Sequence, residues 1–128
     1  MIYKTDWYNL IGTDASKIAI SASNNRGANI NCDAQYPYIY VSVKVVVVFG
    51  SIATNNCLIS IYGVDRNASD TDSVPLWQQK VKEFANSERV VTIPNLNVAS
   101  LDTIRVEIKN INTSTVHVWA SYKASYIK

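Results

Sequence analysis

The stretch Ile39-Tyr40-Val41-Ser42-Val43-Lys44-Val45-Val46-Val47-Val48-Phe49 decides the fold. Ile39, Val41, Val43, Val45, Val47 and Phe49 share one parity, and Tyr40, Ser42 and Lys44 share the other. Successive side chains of a strand point to opposite faces. The first set therefore enters a core and the second faces solvent or a partner. From Val46 the outer parity turns apolar too, and Val48 continues it, which predicts an end covered on both faces. Gly50 and the following 51–56 break the run.

Outward from this strand the same alternation recurs. Residues 57–63 read as the next strand, with Ile59 and Ile61 inward and Ser60 and Tyr62 outward. In 102–109, Ile104, Val106 and Ile108 face in while Arg105, Glu107 and Lys109 face out. The polar turn 110–114 leads into 115–126, where Val116, Val118 and Ala120 keep the core parity and His117 and Trp119 take the other. These last two strands are expected to form a C-terminal hairpin. Further strands are expected at 17–22, at 89–93 with Pro94 ending it, and at 2–7. In 76–84, Trp77, Val81 and Phe84 fit helical spacing, yet the surrounding short strands favour a strand. The sum is one all-β domain over residues 1–128, an antiparallel β-sandwich of about eight strands and a jelly roll in its topology.

Composition agrees. The 128 residues hold 15 Val and 14 Ile against 5 Leu, and β-branched side chains suit a pleated sheet better than a helix. Charged residues make up 17%, with a net charge of +2 and no run of three basic residues. That spread argues against a nucleic-acid partner, which needs concentrated positive charge to displace counterions. The longest apolar run is too short for a bilayer, and the N-terminus has no basic-then-apolar leader, so neither a membrane partner nor a secretory signal is expected. Cys32 and Cys57 form no CxxC and read as two buried thiols, with a disulfide as the alternative. No cofactor is expected.

The inventory for catalysis is thin. His117 is the only histidine, mid-strand on the outward parity, where a surface or interface role is the plainer reading. No GxSxG, P-loop, HExxH or GxGxxG motif occurs, which leaves a small hydrolase with a dispersed site as a third-ranked function. Asp65, Asn67, Asp70 and Asp72 crowd oxygen ligands into one loop and form a calcium candidate, although Asp70 stands where an EF-hand needs glycine; a solvated turn is the expectation. Tyr36, Tyr38 and Tyr40 share one parity around Pro37 and suit a sandwich edge, a subunit interface or a surface that stacks sugars. Trp7, Trp77 and Trp119 divide the same ways, and Trp119 is the most exposed by parity.

The strand ending in Lys109-Asn110, the polar turn with Asn112-Thr113-Ser114 and the Val-rich final strand follow Val90-Val91-Thr92-Ile93-Pro94. Over residues 90–126 this texture resembles small tailed-phage virion proteins, the β-sandwich or jelly-roll modules that decorate capsids or build tails and fibres. The resemblance implies a non-enzymatic virion structural protein of a bacteriophage, most of all a capsid decoration protein. Its implied partners are the major capsid protein or other virion proteins and further copies of itself, and its implied place is the virion. Candidate contact residues are Tyr36, Tyr38, Tyr40, Val46, Val48, His117 and Trp119. A carbohydrate-binding module, as a lectin or fibre tip, is the alternative role.

Overall fold

The computed structural model describes residues 1–33, 35–51, 56–64 and 75–128. Ten strands run β1 Ile2–Lys4, β2 Tyr8–Ile11, β3 Ile18–Ile20, β4 Asn25–Asn31, β5 Tyr38–Val48, β6 Cys57–Val64, β7 Trp77–Val81, β8 Glu88–Asn97, β9 Thr103–Asn110 and β10 Val116–Ile127. They form two antiparallel sheets. In the larger, β1, β2 and β3 succeed one another along one side of β10, which then pairs with β5, and β5 with β8. In the smaller the order is β4-β9-β6-β7. Counting β1–β3 as one broken edge strand gives eight strand positions in two four-stranded sheets. That order is the jelly-roll order, so the expected fold class holds.

The core lies where the two inner faces meet. Val41, Val43, Val45 and Val47 of β5, Ile59 and Ile61 of β6, Ile104, Val106 and Ile108 of β9, and Val116, Val118 and Ala120 of β10 are fully buried there. Burying each valine or isoleucine side chain stabilises the fold by about 1.5–3 kcal/mol before chain entropy is counted. Cys32 and Cys57 sit in this core as free thiols.

Several expectations need correction. Strands β9 and β10 are not a hairpin, because they lie in different sheets and the turn 111–115 crosses between them. A buried amide network at the crossover holds that course. Asn110, with no exposed surface, donates from Nδ2 to the carbonyls of Ile20 (2.9 Å), Ser21 (3.2 Å) and Ser114 (2.8 Å). Its Oδ1 accepts from the Asn112 backbone N–H (2.9 Å) and from Asn112 Nδ2 (3.1 Å). Pro94 does not end β8. The strand runs on to Asn97, with Pro94 and Asn95 bulging opposite Ser42, and Asn95 at φ 48°. An edge strand tolerates proline at such a bulge, since no ladder donor is needed there. The strand predicted at 2–7 shortens to β1, β2 beyond it went unforeseen, and β3 and β7 are shorter than predicted. Strand β4 went unforeseen because Asn25-Arg26-Gly27-Ala28-Asn29-Ile30-Asn31 offers only Ala28 and Ile30 as apolar residues on its inner parity.

Between β2 and β3 the chain loops out at Gly12, φ +57°, and returns to the same side of β10, with Thr13 and Ser16 bonded backbone to backbone at 3.0 and 3.2 Å. A Cβ at Gly12 would lie 2.9 Å from the Ser16 carbonyl oxygen. Gly12→Ala is therefore expected to cost about 2 kcal/mol, combining the left-handed penalty with this contact. A thermal melt checks it, with the neighbouring exposed Ala19→Gly as a mild comparison.

Candidate functional site

The outer faces of the two sheets differ in chemistry. On the smaller sheet, cross-strand neighbours satisfy one another. Arg105 Nη1 donates to Asn29 Oδ1 (3.2 Å), Arg105 Nε lies 3.5 Å from Glu107 Oε2, and Asn25 Nδ2 donates to Glu107 Oε1 (2.8 Å). Ser60, almost fully buried on this face, accepts from Gln78 Nε2 at 2.9 Å. Gly27 has no side chain to obstruct the Arg105 guanidinium lying over it. This face is mostly polar and internally bonded, with half-buried Leu58, Tyr62 and Val64 of β6 as its apolar members.

The outer face of the larger sheet carries an apolar stripe instead. Register sets Val90 of β8 opposite Val46 of β5, and Val46 opposite Trp119 of β10. Val90 is 54% exposed and Trp119 half-buried, while Val46 between them is buried. The outward parity of Val46 is thus as expected, but neighbours on its own sheet already cover it. Val48, half-buried, lies beside exposed His117, which itself faces Ala19 of β3. Lys44 Nζ stands 5.2 Å above the Trp119 ring, a cation–π contact. The Trp119 indole N–H is buried and has no acceptor among the described residues.

The three tyrosines expected on one face do not share it. Tyr126 pairs with Tyr38 and Ser125 with Tyr40, so Ile39 bulges out of register. A bulge inserts one residue and flips the parity beyond it. Tyr40 stays on the outer face, 38% exposed, whereas Tyr38 turns inward against the core. Inward-turned Tyr38 meets tyrosines that the sequence analysis did not single out. Tyr122 and Tyr126, on the core parity of β10, pair with Tyr8 of β2 and Tyr3 of β1. Tyr3 and Tyr36 each stack on Tyr126, with centroids 5.7 and 6.0 Å away, and Tyr8 meets Tyr122 edge-on at 5.5 Å. Lys128 Nζ lies 6.0 Å from the Tyr3 ring and 5.8 Å from the Tyr36 ring. Burial, then the charge and hydrogen bond of Tyr122, pushes the Tyr38 hydroxyl up to about 12.

Within this cluster an open cleft of about 210 Å³ is lined by Tyr8, Gln35, Tyr36, Tyr38 and Tyr126. The i, i+4 spacing of Tyr122 and Tyr126 on a strand parity was the sequence signal for it. The part played by Tyr3 and Tyr8 depended on strand pairing that no local pattern gives.

Trp7 is 45% exposed, and Trp77 packs against the core. The calcium candidates Asp65, Asn67, Asp70 and Asp72 lie outside the described residues. Among the described residues no three His, Cys, Asp or Glu side chains gather as a metal site.

No protein-family model and no curated protein matches the chain in sequence. Solved structures do share its fold. The structure of infectious bursal disease virus, Gt strain, superposes with TM-score 0.60 at 10% identity, over 94% of this chain and 32% of that one. The enzymatically active domain of bacteriophage CBA120 tailspike protein 4 gives 0.59 at 11%, over 95% and 19%. SPBc2 prophage-derived protein YomS gives 0.52 at 14%, over 98% and 95%. A CBM4 carbohydrate-binding module gives 0.54 at 10%, over 92% and 73%. This chain therefore spans under a third of the tailspike and bursal virus chains but nearly all of YomS. The resemblance to phage and viral β-structures is met, at the level of fold.

Proposed function

We propose that the chain is a non-enzymatic structural module of a phage virion, an auxiliary or decoration protein that attaches to a protein lattice through the outer face of its larger sheet. The observation that carries this reading is the contrast between the two outer faces. One satisfies its polar groups by itself, and the other presents Val90, Val48 and Trp119 around a buried Val46. Sheet cores lie on the other side of these strands, so a second apolar stripe suits a second partner. The fold's occurrence in YomS and in a viral structure supports the setting. Attachment would bury the stripe and could place copies of the chain side by side on the lattice.

The test is a pelleting assay with tagged chain and purified phage particles from a culture carrying its gene. Wild-type chain should pellet with the particles, and Val90→Lys should weaken that binding by about tenfold or more, as a charge placed on an apolar contact does. Recovery of wild-type chain only in the supernatant, or equal pelleting of Val90→Lys, would contradict the reading.

A further inference from the structure

We propose that the tyrosine cleft is a carbohydrate-binding site that holds one pyranose ring of a neutral glycan. A pyranose presents a flat C–H face inside a rim of hydroxyls. Its site therefore needs aromatic walls and polar groups near the ring plane. Tyrosine supplies both in one side chain, an apolar body with a hydroxyl that donates and accepts. Four of the five lining residues are tyrosines, and the fifth, Gln35, adds an amide with both donor and acceptor.

Size selects the ligand further. The cleft's 210 Å³ equals the liquid volume of about seven waters. It is smaller than the roughly 300 Å³ at which sites for drug-sized ligands begin. That leaves room for one sugar ring, not for an oligosaccharide lying along the sheet. Charge selects too. None of the five lining residues is ionic at neutral pH, and Lys128 stands against the backs of Tyr3 and Tyr36, outside the lining. Walls without an ionic side chain match a neutral hexose.

The walls are also held in advance. Tyr126 is stacked with both Tyr3 and Tyr36, Tyr8 is braced edge-on by Tyr122, and Tyr38 packs against the core. Binding then freezes few rotamers, which keeps its entropic cost low. A purely structural role accounts for half-buried Tyr38 at the sandwich edge. It leaves unexplained why Tyr8 and Tyr36, at 45% and 37% exposure, line an open cleft and not a closed core.

The experiment screens the intact chain on an array of glucose-, galactose-, mannose-, rhamnose- and N-acetylhexosamine-terminated glycans. The best terminal sugar is then titrated as its methyl glycoside by NMR. The proposal expects a Kd of about 0.1–10 mM, a range ordinary for a single-ring contact. Amide and ring shifts should centre on Tyr8, Gln35, Tyr36 and Tyr126. Tyr36 lies in a loop, so Tyr36→Ala leaves the sheets intact and should weaken binding at least tenfold. Tyr36→Phe, which keeps the ring, should stay within about threefold. Val90→Lys should leave sugar binding unchanged, so the lattice and sugar readings fail separately. A silent array, shifts mapping to another face, preference for an aromatic peptide over every sugar, or full binding by Tyr36→Ala would each overturn the proposal.

Discussion

Replacing Asn110 by alanine is expected to destabilise the protein by about 3 kcal/mol and to lower its melting temperature by roughly 10 °C. The side chain has no exposed surface and makes five hydrogen bonds. Its removal takes a partner from the carbonyls of Ile20, Ser21 and Ser114 and from two donors of Asn112, while the Ser21 carbonyl keeps the Asn24 N–H and Asn112 Nδ2 keeps Cys57 Sγ. Each buried group left unpaired costs about 1–3 kcal/mol, and relaxation around the small alanine recovers part of the sum. The loss is concentrated because these bonds tie the crossover between sheets to the link between β3 and β4. Asn29→Ala, which removes only a surface bond to Arg105, is expected to cost within about 0.5 kcal/mol. Chemical denaturation of the two variants checks the contrast. Similar stabilities would show that the amide network is dispensable.

Raising the pH is expected to destabilise the protein progressively from about pH 9 upward. Burial pushes the Cys32 and Cys57 thiols from 9.0 up to about 11, and Tyr38 from 10.0 up to about 12. In the unfolded chain these groups ionise earlier than in the folded one. The stability they allow is therefore complete below pH 9 and falls as pH rises through 11 for the thiols and 12 for Tyr38. A two-unit rise corresponds to roughly 2–3 kcal/mol per thiol, so the pair alone removes about 5 kcal/mol at the alkaline limit. That is a large share of the 5–15 kcal/mol typical of a domain. Stability measured against pH should slope downward from pH 9, and Cys32→Ala with Cys57→Ala should flatten the slope between 9 and 11. The same burial predicts that neither thiol reacts with a disulfide reagent at about pH 8 until denaturant is added.

Much of the architecture was legible because period-two alternation is local. Residues 39–49, 57–63, 102–109 and 115–126 announced themselves through parity, and their inward residues, bulged Ile39 excepted, lie in the observed core. What failed was non-local. Nothing in the turn at 110–114 distinguishes a hairpin from a crossover between sheets, since the deciding bonds reach Ile20 and Ser21, some ninety positions away. Strand β4 was hidden because its partner β9 supplies the ladder while its own side chains are mostly polar. The site divided in the same manner. Trp119, Val46 and Val48 fell on the outer face as parity required, but the burial of Val46 depends on its partners across the ladder. Tyr36, Tyr38 and Tyr40 were placed on one parity, and the structure divides Tyr38 from Tyr40 because one bulged residue, Ile39, exchanges faces.

The central claim is that this chain is a structural part of a virion, and quantitative mass spectrometry of purified particles tests it most directly. Particles from a culture carrying the gene should contain the chain at a fixed ratio to the major capsid or tail protein through successive density gradients. Particles that are complete and infectious yet hold none of it would contradict the claim.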